Sequence, residues 1–85
     1  MFEEKTIDLH GLDSWEATGV ILNELFVLEE NSDYKKSILF ITGKGKGVLI
    51  ETLLEILKSE NYYYNKITEG SFRVYAKKEK IKEFF

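Results

Sequence analysis

Along this 85-residue chain the apolar positions switch between a period of two and a period near 3.6, and each switch marks an element. Residues 5–9 alternate polar with apolar, which predicts a half-buried strand with Ile7 and Leu9 inward and Asp8 and His10 on the other side. His10-Gly11 ends it. Asp13 then stands where a helix N-cap belongs, with Glu16 three residues on as its capping-box partner and Leu12 and Ala17 at staple positions. Ala17, Val20, Ile21, Leu25 and Leu28 follow at helical spacing, with Leu22 and Phe26 widening the inward stripe, as far as about Glu30. Gly19 costs about 1 kcal/mol relative to Ala inside a helix, which points to close packing against a neighbour.

Asn31-Ser32-Asp33 is a polar breaker, and residues 37–42 form a continuous apolar run typical of an interior strand. The intervening helix makes it parallel to the first strand. Val48, Leu49, Leu53, Ile56 and Leu57 define a second amphipathic helix through about Glu60. Residues 62–68, a Glu69-Gly70 turn and residues 71–77 read as a hairpin. Phe72, Val74 and Ala76 face one side of its second strand; Arg73, Tyr75 and Lys77 face the other. With Ile67 inward, Tyr62, Tyr64 and Lys66 join that second group. The order is βαβαββ: an α/β (α+β) two-layer sandwich, a four-stranded mixed sheet with both helices on one face and the other face open. One domain spans residues 1–85, with its core at about 6–77 and a tail at 79–85.

Two loops carry candidate chemistry. Parallel first and second strands bring their C-terminal ends to one sheet edge, so His10-Gly11 meets Gly43-Lys44-Gly45, where open α/β sheets bind ligands. Three glycines within Gly43-Lys44-Gly45-Lys46-Gly47 allow close approach of another molecule to the main chain, and the N–H groups opening the next helix attract an anion. This is not a Walker A loop, because no Ser or Thr follows either lysine. Asp8 and His10, about 6.6 Å apart at 3.3 Å per residue, share a strand face, so the carboxylate can steady the imidazole as a general acid or base. The same residues also fit a plain tight turn and a strand-end histidine.

Charge sharpens this picture. Net charge is −3, but residues 1–33 carry nine acids and one lysine, whereas residues 34–50 carry four lysines and no acid. Basic character is therefore local, centred on the glycine loop, with Lys35 and Lys36 read as ordinary solvated loop residues. There is no cysteine and His10 is the single histidine, so a His/Cys zinc site is excluded and no metal or cofactor is expected. No apolar stretch is long enough for a membrane span, which predicts a cytoplasmic protein.

Taken together, Asp8-Leu9-His10-Gly11 with Glu16-Ala17, and Ile41-Thr42-Gly43-Lys44-Gly45, resemble the LDLHG…EA opening and the TGKG loop of Smr (small MutS-related) domains. Gly47-Val48-Leu49 is similar to the family's G-x-L, and Gly70-Ser71-Phe72-Arg73-Val74 to its closing glycine turn and strand. The segment after TGKG is cut to Lys46-Gly47 and the loop before the last strand to Glu69-Gly70-Ser71. The resemblance implies a fold similar to the C-terminal domain of a bacterial translation initiation factor and nucleic-acid binding, often with endonuclease activity, in some relatives on mRNA at stalled ribosomes. Carried over by position, Asp8 and His10 match the catalytic motif, and Gly43, Lys44 and Gly45 the phosphate-handling loop.

Two functions follow as expectations. The first is a metal-independent endonuclease, with RNA favoured over DNA because the 2′-OH is a built-in nucleophile. The second is a non-catalytic RNA- or ribosome-binding module. Phosphate or nucleic-acid contacts are expected from Gly43, Lys44, Gly45, Lys46, Arg73, Tyr75 and Lys77, the aromatic and basic residues of the open face suiting single-stranded RNA.

Overall fold

A computed structural model describes residues 3–30, 36–45 and 47–77. The elements are β1 (Glu3–Asp8), α1 (Ser14–Glu30), β2 (Lys36–Ile41), α2 (Val48–Ser59), β3 (Tyr64–Thr68) and β4 (Ser71–Tyr75), in the βαβαββ order expected. The sheet runs β1-β2-β4-β3, with β1 parallel to β2 and β4 antiparallel to both β2 and β3. The polar breaker at 31–33, Lys35, Lys46 and the tail at 79–85 lie outside the described residues. Lys36, read as a loop residue, instead opens β2 opposite Glu3.

One face of the sheet builds the core. Ile38 and Phe40 of β2 stand opposite Val74 and Phe72 of β4, and all four are buried against Ala17, Ile21, Leu25 and Leu28 of α1 and Leu53 and Leu57 of α2. Ile7 and Leu9 join from the β1 side, the phase that the alternation of residues 5–9 predicted. Fully burying one such side chain is worth about 1.5–3 kcal/mol, so this single cluster is the main source of stability.

Helix α1 starts at the predicted capping box. The Asp13 carboxylate accepts the Glu16 N–H (2.8 Å), and the Asp13 N–H donates to the Glu16 carboxylate (3.1 Å). Its outer face departs from expectation. Leu22 and Phe26 are 44% and 62% exposed rather than inward, and nothing lies within 4 Å of where a Gly19 Cβ would be, so Gly19 marks no close packing.

The hairpin departs in phase. Lys66 stands opposite Phe72 and Tyr64 opposite Val74, which puts both on the helix side, while Asn65 stands opposite Arg73 on the open face. A β-bulge between Lys66 and Thr68 leaves Ile67 exposed, so counting alternation from an inward Ile67 inverts the strand. Tyr62 also turns to the helices, where its hydroxyl donates to the Glu29 carboxylate of α1 (3.0 Å). Burial pushes the Tyr62 phenol up, and the Glu29 hydrogen bond adds to the shift.

Candidate functional site

Three turns meet at the C-terminal edge of β1 and β2. The first closes Leu9-His10-Gly11-Leu12 with a Leu12 N–H to Leu9 carbonyl bond (3.1 Å), and Gly11 has φ +90°, as the third position of a type II turn requires. It holds His10 outward. The second is Thr42-Gly43-Lys44-Gly45, with Gly43 at φ +80°. The third is the β3–β4 turn at Gly70, whose carbonyl accepts the Thr42 N–H (2.8 Å) and the Gly43 N–H (3.3 Å), with the buried Thr42 hydroxyl 3.2 Å away. Gly70 approaches so closely that a Cβ there would lie 2.8–3.0 Å from the Gly43 backbone. The β3–β4 turn therefore clamps the glycine loop in place.

The clamped loop lies beside His10. A Cβ built on Gly43 would stand 3.5 Å from the His10 Cβ, so the two loops predicted to converge are neighbours. Asp8 steadies His10 from the strand side: its carboxylate accepts the His10 N–H (3.0 Å) and lies 3.2 and 3.4 Å from Nδ1. The backbone N–H of His10, and after it the imidazole, holds the Asp8 carboxyl below the usual range, so Asp8 stays ionised through mildly acidic pH. With Nδ1–H given to Asp8, the Nε2 lone pair is the one left for chemistry. Both side chains are largely open to solvent.

After this loop α2 opens at Gly47, φ +85°, with no side-chain cap among the described residues on its first-turn N–H groups. Lys44 is exposed on the intervening loop. Because the Gly43 N–H is turned back to Gly70, Gly43 contributes close approach to His10, and an anion would meet the amides further along. Among the described residues no three His, Asp or Glu side chains are grouped so as to hold a metal ion.

This geometry has counterparts among solved structures. The crystal structure of a human small-MutS related domain is similar to 84% of this chain and 99% of its own length, at 25% identity and a TM-score of 0.73. The solution structure of the SMR domain of NEDD4-binding protein 2 is similar over 87% of this chain and 86% of its own length, at 26% identity and a TM-score of 0.71. The chain is an Smr-like domain. No family model matches the sequence, and no curated protein matches it.

Within this Smr-like domain, the edge gathers Asp8, His10, Gly43, Lys44 and Gly45. The other candidates lie elsewhere. Arg73 is mid-strand on the open face, where Nε (2.5 Å) and Nη2 (3.3 Å) clasp the Glu4 carboxylate, which also accepts the Ser37 hydroxyl (3.0 Å). Tyr75 sits farther from the loops, its ring 6.2 Å from that of Tyr63 and its hydroxyl 3.1 Å from the Asn65 amide. Lys77 leaves the open face altogether: its N–H donates to Glu29 (3.0 Å) and its ammonium lies 4.4 Å from the Tyr62 ring centre. Sequence reasoning missed Glu4 and Tyr63. The signal for Glu4 was its shared parity with Asp8 on β1, which puts both on the open face.

Proposed function

We propose that this Smr-like domain binds single-stranded RNA and cleaves it without a metal ion, using Asp8 and His10 beside the Gly43-Lys44-Gly45 loop. The observation that carries the reading is the Asp8–His10 hydrogen-bonded pair beside Gly43, since a base oriented by a carboxylate next to an anion-attracting loop is what phosphodiester transesterification needs. His10 Nε2 takes the proton of a 2′-OH, and the 2′-oxygen bonds to the phosphorus as the P–O5′ bond breaks to leave a 2′,3′-cyclic phosphate. The leaving 5′-oxygen takes a proton from water at this solvent-open site, while the His10 imidazolium returns its own to solvent. Lys44 and the uncapped amides stabilise the extra phosphorane charge. The alternative, binding without cleavage, draws support from the Tyr63–Tyr75 ring pair on the open face.

Purified protein incubated with labelled single-stranded RNA, single-stranded DNA and supercoiled plasmid, with EDTA and with Mg²⁺, tests both. Cleavage of RNA that survives EDTA is expected. His10→Ala should cut about 10²–10⁴-fold more slowly, the usual size of a general acid–base contribution, while binding RNA as tightly as the parent. Absence of cleavage under every condition, with RNA still bound, favours the binding module.

A further inference from the structure

Helix α1 has a second apolar face that the core does not use. Trp15 is 84% exposed, Phe26 62% and Leu22 44%. At about 100° per residue, Trp15, Gly19, Leu22 and Phe26 fall within an arc of roughly 60°. That arc points away from the buried Ala17, Ile21, Leu25 and Leu28. Their separations of four, three and four residues are those of a two-helix seam. The open space over Gly19 lets a partner's side chain seat against the α1 backbone.

Charge selects the occupant. From Ser14 to Glu30 the helix carries Glu16, Glu24, Glu29 and Glu30 and no basic residue; Glu24 is paired with Lys5 and Glu29 accepts the Tyr62 hydroxyl and the Lys77 N–H, so Glu16 and Glu30 are the exposed acids of the helix. A second copy would set the same glutamates against each other, and an RNA backbone would bring phosphates to an acidic border. We propose that the outer face of α1 docks a basic amphipathic helix of a partner protein, its apolar side on Trp15, Leu22 and Phe26 and its lysines or arginines along Glu16 and Glu30. This proposal does not depend on RNA cleavage.

Trp15 is the single tryptophan and so reports directly. The full chain is titrated with a synthetic Leu/Lys amphipathic helix, with a Leu/Glu helix of the same apolar pattern, and with single-stranded RNA. The expected result is a saturable blue shift of Trp15 emission with the Leu/Lys helix alone. Phe26→Glu and Leu22→Glu, each at an exposed site and checked for unchanged circular dichroism, should weaken that binding at least about tenfold, the loss typical of a central apolar anchor. A shift of equal size with the Leu/Glu helix, a shift with RNA instead, or unchanged binding by both variants overturns the proposal. So does Trp15 emission that is already blue in the chain alone and turns red in an Ile81→Glu, Phe84→Glu, Phe85→Glu variant, because the chain would then fill its own surface.

Discussion

Gly70 has no side chain, and at its place in the β3–β4 turn none fits, because a Cβ would sit 2.8 Å from the Gly43 carbonyl carbon. Its carbonyl gathers the Thr42 and Gly43 donors, so one backbone oxygen fixes the loop that faces His10. None of this is legible locally. The Asp8–His10 pair was, since two residues on one strand face are neighbours whatever the tertiary fold. The contact between Gly70 and Gly43 joins residues far apart in sequence and exists only through the pairing of β2 with β4. Lys44 is the residue on which phosphate binding turns. Lys44→Ala should weaken binding to single-stranded RNA and reduce the slope of log affinity against log salt by about 0.7, the share of one phosphate contact, as read from titrations at several salt concentrations. An unchanged slope would make the loop a turn and nothing more.

At the scale of elements, both helices end where their sequences direct. The α1 capping box satisfies two donors reciprocally, so Asp13→Ala should cost about 1 kcal/mol, measured as a lower denaturation midpoint. An unchanged midpoint would count against the cap. Helix α2 closes with Asn61 at φ 61°, the Tyr62 N–H on the Leu57 carbonyl (2.8 Å) and the Asn61 N–H on Lys58 (3.2 Å), a Schellman motif with asparagine in place of glycine. Sequence periodicity placed both helices but overestimated how much of α1 is buried. Period gives the direction of a stripe; its width depends on the neighbours. Because two helices share one sheet face, α1 buries only the arc of Ala17, Ile21, Leu25 and Leu28, and Leu22 and Phe26 fall outside it. The β3 strand failed for a related reason, since a bulge shifts alternation by one residue and residue type does not reveal it.

Across the whole molecule, Glu4 and Arg73 are joined although 69 residues separate them in sequence, and they tie β1 to β4 over the face of β2. The hydrogen bond from Arg73, helped by Ser37 and by the Arg73 charge, holds the Glu4 carboxyl below its ordinary 4.5. The unfolded chain therefore takes up this proton first, so the pair's stabilisation is full above about pH 4.5 and fades as pH falls through the lower folded value. Glu4→Gln should lower Tm at neutral pH, and the gap to the parent should close in acid; a gap that stays constant with pH would show that the pair is not its source. This pairing also makes the open face less basic than its sequence suggested, while Lys44 stays exposed on the glycine loop. The sequence alone determined the element order, the inward residues of β1 and β4, the α1 cap and the Asp8–His10 pair, because each depends on spacings of a few residues. The tertiary structure alone decided which charges are neutralised, which tyrosines face outward, how Gly70 clamps the glycine loop and which side of α1 stays open, because each depends on strand register and on the space one element leaves for another.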